Sequence, residues 1–173
     1  MKKVLKIVIP ALIVFVLSFM AYKIYAIIES KAKIAEQIKT IPEFYFYKLG
    51  TDSTFTHLNL KQNKSALIIY FHPECEHCQN EAEIISKRID EFKEYQLVFI
   101  SYAETQEIKT YASKHKLLGY ENITFLEDKD MIFNDIFGKS GIPNSLIYSE
   151  QGKLTRQFKG EVKVDALLKY LKL

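Results

Sequence analysis

The apolar residues fall into one long unbroken run and then into short runs at two different periods. From Ile7 to Tyr22, and on past Lys23 through Ile24-Tyr25-Ala26-Ile27-Ile28, almost every residue is apolar. A stretch of this kind is about as long as the roughly 20 residues a helix needs to cross a bilayer. Lys2, Lys3 and Lys6 precede it, Pro10 falls in its first turns where a helix tolerates proline, and Lys23 lies near the far end where its stem can snorkel. Residues 1–28 are therefore expected to be a membrane anchor. The basic residues at the start place that end inside the cytoplasm and the rest of the chain outside. A cleaved signal peptide is the alternative, against which stand the length of the run and the lack of a small-x-small cleavage site after it.

Residues 29–40 are polar, with Ile34 and Ile38 at helical spacing, and read as a helical stalk that Pro42 ends at about Ile41. From residue 41 the periods alternate. Strands are expected at Phe44–Lys48, Ala66–Phe71, Gln96–Ser101, Ile123–Leu126, Ser145–Ser149 and Leu154–Phe158. Phe55–Leu60 is a further extended or turn segment that closes a hairpin with the first strand. Helices are expected from Gln79 to about Tyr95 (Ile85, Ile89 and Phe92 recur at four and three), from Glu104 to His115, from Asp130 to Phe137, and from Lys163 to Leu171, where Leu167, Leu168 and Leu171 form the buried face. Strands alternating with helices and ending in a hairpin and a helix make an α/β sandwich with a mixed sheet.

Charge changes this picture little. The net charge is +3, but four of the 24 basic residues and none of the 21 acidic ones lie in residues 1–23, so the remainder is close to neutral. No basic patch interleaved with aromatics is present, and no nucleic-acid partner is expected.

The chemistry is concentrated in one tetrad. The only two cysteines stand in Cys75-Glu76-His77-Cys78, between the apolar run Ala66–Phe71 and a helical pattern. Strand, short loop, then Cys-x-x-Cys opening a helix is the setting in which this motif carries thiol–disulfide exchange. Two cysteines this close constrain the unfolded chain little, so stapling explains them poorly. Cys75, at the helix start, is the expected attacking thiol, since unpaired N–H groups there favour a thiolate. Cys78, one turn inside, is the expected resolving thiol. Two structural thiols or half of a metal site are the other readings. Tetrahedral zinc needs four ligands, and adding His72 and His77 on one turn strains that geometry, so no metal is expected. A protonated His77 would favour the Cys75 thiolate, while Glu76 would oppose it. His57 and His115 read as surface residues. The local sequence alone makes Ile142–Pro143 a trans peptide.

With these pieces in order, residues 41–173 resemble the membrane-anchored thioredoxin-like proteins of the TlpA/ResA type, a branch of the AhpC/TSA-related redoxins. The resemblance rests on Ile41-Pro42-Glu43-Phe44, on Tyr70 to Cys78, on Gly141-Ile142-Pro143-Asn144-Ser145-Leu146-Ile147-Tyr148, and on the closing turn with Gly152 and the run to Gly160. It implies a thioredoxin-like three-layer sandwich with a mixed central sheet, an N-terminal hairpin and one preceding transmembrane helix. It implies a thiol–disulfide oxidoreductase with no cofactor beyond a redox-active Cys75–Cys78 disulfide. It gives Glu81, three residues after Cys78, a role near the thiols, and makes Ile142–Pro143 cis, with Ile142 and Pro143 binding substrate. Glu81 gains interest because Ile69 occupies the position, six before Cys75, where thioredoxin itself carries a buried aspartate. The implied partners are exported cysteine-containing clients and a membrane thiol electron donor, with the catalytic domain in the periplasm or an equivalent extracytoplasmic space. Reduction of clients is favoured over their oxidation. The chain departs from the pattern in having His72-Pro73-Glu74 and no tryptophan before Cys75, Glu83 where a helix-kinking proline is usual, and Ile142 where some relatives carry threonine. A thiol peroxidase is disfavoured because His72 stands where that family has threonine. A copper chaperone of the SCO type is disfavoured by the short cysteine spacing and the position of His115.

Overall fold

A computed structural model describes residues 2–173, with side chains from Leu12 onward. The lysines at 2, 3 and 6 and Pro10, on which the expected orientation and helix start rest, lie outside the described side chains. Two compact units are present, residues 1–36 and 37–173. The first is formed by helix α1 (Lys2–Gln37), of which the last residue belongs to the second unit; the part from Leu12 on is long and apolar enough to cross a membrane by length and composition. Its large apolar side chains, among them Phe15, Leu17, Phe19 and Ile28, are exposed.

The second unit is built on a seven-stranded sheet in the order β2-β1-β5-β4-β3-β6-β7. The strands are β1 (Tyr45–Lys48), β2 (Thr54–Thr56), β3 (Ala66–Phe71), β4 (Gln96–Ser101), β5 (Ile123–Glu127), β6 (Asn144–Tyr148) and β7 (Leu154–Lys159). β3, β4 and β5 are parallel; the β1–β2 hairpin joins β5 antiparallel, and β6 and β7 run antiparallel to their neighbours. The central strands β3 and β4 are buried along their whole length, which is why they read as continuous apolar runs.

One face of the sheet carries α2 (Glu76–Lys87), α3 (Thr105–Lys114) and α5 (Val164–Leu171) over Leu67, Ile69, Phe71, Phe99 and Ile147. The other face takes the short α4 (Phe133–Phe137), with Phe133 stacked on Tyr70 at 3.9 Å. This is the expected three-layer, mixed-sheet architecture with its N-terminal hairpin.

Several expected boundaries differ. The helix after the tetrad ends at Lys87, because Arg88 leaves helical geometry at φ −123° and only a 3-10 turn (Ile89–Phe92) follows. The helix expected from Asp130 begins at Phe133. Met131 takes φ 53°, and the buried Asp128 carboxylate accepts the N–H groups of Ile132 and Phe133, so Asp128 starts the helix from outside it. Residues 38–40, read as the end of the stalk, are woven into the domain: Ile38 is buried, Thr40 bridges Lys153, and Leu154 N–H donates to Lys39 O. His115, expected at the surface, is buried. It follows α3 four residues after Tyr111 and packs on that ring at 4.7 Å, and burial lowers its pKa. His57 is half-buried, 6.2 Å from the ring of Phe44.

Candidate active site

The site forms where β3 ends and α2 begins. After Phe71 the segment His72-Pro73-Glu74 turns, with Cys75 N–H donating to His72 O at 3.1 Å. Cys75 is the residue just before the helix, at φ −74° and ψ 118°, and its carbonyl takes the first helical bond, from Gln79 N–H at 3.0 Å. Its side chain therefore sits at the start of α2, beside the unpaired N–H groups of the first turn. A bridge from Gln79 Nε2 to Pro73 O (2.9 Å), braced by Lys114 Nζ on Gln79 Oε1 (2.8 Å), ties the loop to the helix.

The two thiols are unequal. Both are free; Cys75 is half-buried and Cys78 is 1% exposed. Burial first, then its hydrogen-bonded neighbour Cys75, push the Cys78 thiol up, with the Glu81 charge adding to the rise. Tyr111 on α3 donates its hydroxyl to Cys78 O at 2.7 Å, which fixes the second thiol from behind.

Across from the dithiol lies the loop before β6. The Ile142–Pro143 peptide is cis. The Cys75 sulfur lies 3.9 Å from Ile142 O, so this loop and the thiol face each other. The loop is held by Gly160, whose N–H donates to Pro143 O at 2.7 Å from a backbone at φ +98°, a conformation that suits glycine.

Glu81 is 1% exposed, on the inner side of α2. One of its oxygens, Oε1, accepts from the Ser145 hydroxyl at 3.0 Å; the other, Oε2, has no partner. Desolvation dominates its ionisation and pushes it up to about 8, with the Ser145 hydrogen bond opposing and Glu161 adding to the rise. Glu83 is exposed and pairs with Lys87 at 2.6 Å. The buried carboxyl of this helix is thus Glu81.

Glu76 and His77 are exposed in the first turn. His77 Nδ1 lies 2.9 Å from Glu161 Oε2, which Asn80 also approaches. His72 accepts from Glu74 N–H at 3.3 Å and packs on Tyr102 at 4.8 Å. Among the described residues no group of three or more His, Cys, Asp or Glu could hold a metal ion. A groove of about 310 Å³ runs beside the loop, between Pro73 and Glu74 on one side and Gln106, Thr110 and Tyr111 of α3 on the other.

The structure thus brings Cys75, Cys78, Glu81, Ile142 and Pro143 together and leaves Glu76 and His77 at the rim. Three contributors were not singled out in the sequence: Tyr111, Ser145 and Glu161. Only Ser145 had a local signal, a polar residue on the same face as Ile147 in a short strand, Asn144–Tyr148.

Comparison with known proteins agrees with this fold. The fold is similar to that of a secreted Mycobacterium tuberculosis disulfide oxidoreductase homologous to E. coli DsbE, at TM-score 0.64 and 21% identity over 79% of this chain and 97% of that one. It is similar to StoA from Bacillus subtilis, at TM-score 0.59 and 13% identity over 76% and 98%. It is also similar to an exposed lipoprotein thioredoxin of Streptococcus pneumoniae, at TM-score 0.58 and 19% identity over 75% and 98%. No curated protein matches the chain in sequence. The AhpC/TSA family model matches residues 39–157, which hold the dithiol, Glu81 and the cis-proline loop, and the chain belongs to that family.

Proposed function

We propose that this chain is a thiol–disulfide oxidoreductase, tethered by residues 1–28 to the outer side of the cytoplasmic membrane, that reduces disulfides in exported cysteine-containing proteins. The observation that carries the reading is the pairing of a half-exposed Cys75 at the start of α2 with a buried Cys78 one turn behind it, facing Ile142 O at 3.9 Å. The Cys75 thiolate attacks one sulfur of the client disulfide. The client S–S bond breaks, a Cys75–client disulfide forms, and the first client sulfur leaves as thiolate. Cys78 then passes its proton to a base, for which Glu81 is the nearest buried candidate, and attacks the Cys75 sulfur. The second client thiolate leaves, the Cys75–Cys78 disulfide forms, and two electrons have passed to the client. The backbone of Ile142, beside cis-Pro143, is placed to hold an extended client strand during both steps. Glu76 and His77 act on the Cys75 charge from the rim.

The environment of the second thiol supports the reducing direction. A couple is strongly oxidising when its reduced form is stabilised as thiolate. Here burial and a buried carboxyl disfavour the Cys78 thiolate, which supports the reducing side. A membrane thiol donor must then return two electrons to the Cys75–Cys78 disulfide, because the outside is oxidising. The three lysines that precede the anchor support an inside N-terminus.

The test is a redox titration of the full chain in detergent micelles, with Cys75→Ser as control. A potential near that of thioredoxin, about −270 mV, supports reduction of clients, and one near that of DsbA, about −120 mV, supports their oxidation. A dithiol that does not equilibrate with glutathione or dithiothreitol, or a Cys75→Ser variant that still exchanges, overturns the reading.

A further inference from the structure

The buried carboxyl of Glu81 has one polar partner, and that partner comes from the opposite side of the site. Ser145 lies on β6, two residues after Pro143, and pairs in antiparallel register with Ile69 of β3. Ile69 offers no polar group there; the buried acid comes from α2, and the strand next to Ile69 supplies a hydroxyl to meet it. Ser145 is itself fully buried, and its Oγ donates to Glu81 Oε1 at 3.0 Å. This leaves Oε2 buried and unpartnered, one helical turn from Cys78.

We propose that Ser145 is a positioning residue for thiol exchange: its hydroxyl ties one oxygen of Glu81 and thereby leaves the other free for the proton of Cys78. The proposal rests on the reading of Cys75 and Cys78 as an exchanging dithiol and adds the residue that readies its proton acceptor.

Two physical consequences follow from the single bond. A buried carboxyl tied at one oxygen has a fixed rotamer, so the free oxygen does not have to be found during the reaction. A hydroxyl donating to a carboxylate also favours the ionised form, the form able to accept a proton. Without it, desolvation is opposed by nothing. The ionisable groups that act on this region are few. Cys75 and Cys78 stand on or before α2, Tyr111 comes from α3, and Glu161 from the segment between β7 and α5. β3 presents Ile69 and β6 presents Ser145, neither of which titrates near neutrality. Burial and the Glu161 carboxylate both disfavour a charge on Glu81, which leaves the Ser145 hydroxyl as the opposing contact.

The experiment follows the single-turnover reduction of a disulfide-bonded peptide by the reduced full chain in micelles, from pH 5 to 10. Infrared difference spectra of the protonated carboxyl follow Glu81 in the same samples. Ser145→Ala is expected to move both midpoints up by about one pH unit, the size of one hydrogen bond to a charged group. Ser145→Thr, which keeps a hydroxyl, is expected to return them to the wild-type position. In a Glu81→Gln background, Ser145→Ala is expected to leave the rate profile unmoved. An unmoved midpoint in Ser145→Ala, or an equal movement with and without Glu81, overturns the inference while the dithiol reading stands. A wild-type chain that reduces no peptide at any pH overturns both. Should Ser145→Ala not fold, the infrared midpoint of Ser145→Cys, which replaces the hydroxyl by a weak donor, decides in the same direction.

Discussion

Replacing the buried Glu81 by glutamine should make the domain more stable as the pH rises, and the size of the effect can be worked from the site. The Glu81 carboxyl is buried, and its pKa is pushed from 4.5 up to about 8 by desolvation. Because the folded value is the higher one, the folded chain keeps a proton that the unfolded chain releases between those two values. Stability from this group is therefore complete below about pH 4.5 and is lost as pH rises through 8. Integrated from pH 5 to pH 8, the loss is about 3–4 kcal/mol, a large part of the 5–15 kcal/mol typical of a domain. Glu81→Gln has no proton to lose and keeps an amide oxygen for the Ser145 hydroxyl. The difference in unfolding free energy between Glu81→Gln and wild type should grow by that amount from pH 5 to pH 8. Urea unfolding of the reduced chain in micelles measures it, followed by tyrosine fluorescence, since the chain has 11 tyrosines and no tryptophan. Taking the difference between the two proteins removes other titrating groups such as His115 and Asp128. A difference that stays flat across this range would show that Glu81 is ionised and solvated in the folded chain, and would refute the buried-acid argument.

Cys78→Ser should leave the first attack intact and block the second, so a mixed disulfide between Cys75 and a client or model peptide should accumulate and be visible by mass spectrometry under non-reducing conditions; Cys75→Ser should trap none. Tyr111→Phe removes the buried hydroxyl that donates to Cys78 O at 2.7 Å and should cost about 1 kcal/mol in urea unfolding. Gly160→Ala meets no atom within 4 Å but must adopt φ +98°, so it should cost about 1 kcal/mol from backbone strain alone, and an unchanged stability would show that the loop relaxes instead. Ile85→Ala empties a fully buried position under the helix that carries the cysteines and should cost about 2–5 kcal/mol.

The features legible in the chain are those with a local physical cause. Ala66–Phe71 and Gln96–Ser101 are apolar at every position because both faces of a central parallel strand are covered, and their assignment as buried strands holds. The dithiol's place at a helix start was readable because the tetrad lies directly between such a strand and a helical pattern. Helix ends were read less well where the stop is not in the helix's own residues. Asp128 starts α4 from the end of β5, and Arg88 ends α2 ahead of a 3-10 turn that keeps Phe92 buried, so the apolar period runs on past the helix.

Within the candidate site the division is the same. Cys75 and Cys78 are marked by residue type and spacing, because a redox dithiol needs two thiols one turn apart, whereas the segment around Pro143 was legible only through the family resemblance: the local sequence alone favours a trans peptide, and the peptide is cis. The state of Glu81 is not marked. Glu81 and Glu83 are alike in the sequence, two positions apart on one helix, yet one is buried against Ser145 and the other pairs with Lys87 in solvent. His77 was read by its nearness in sequence to Cys78, and in space its nearest charge is Glu161, 84 residues away. By itself the sequence determined the elements, the anchor-like first helix and the thiols, because these depend on period, hydropathy and spacing within a few residues. The tertiary structure alone decided which carboxyl loses its water and which hydroxyl meets it. Desolvation and hydrogen bonding between β6 and α2 arise only when the sheet brings together residues 64 positions apart.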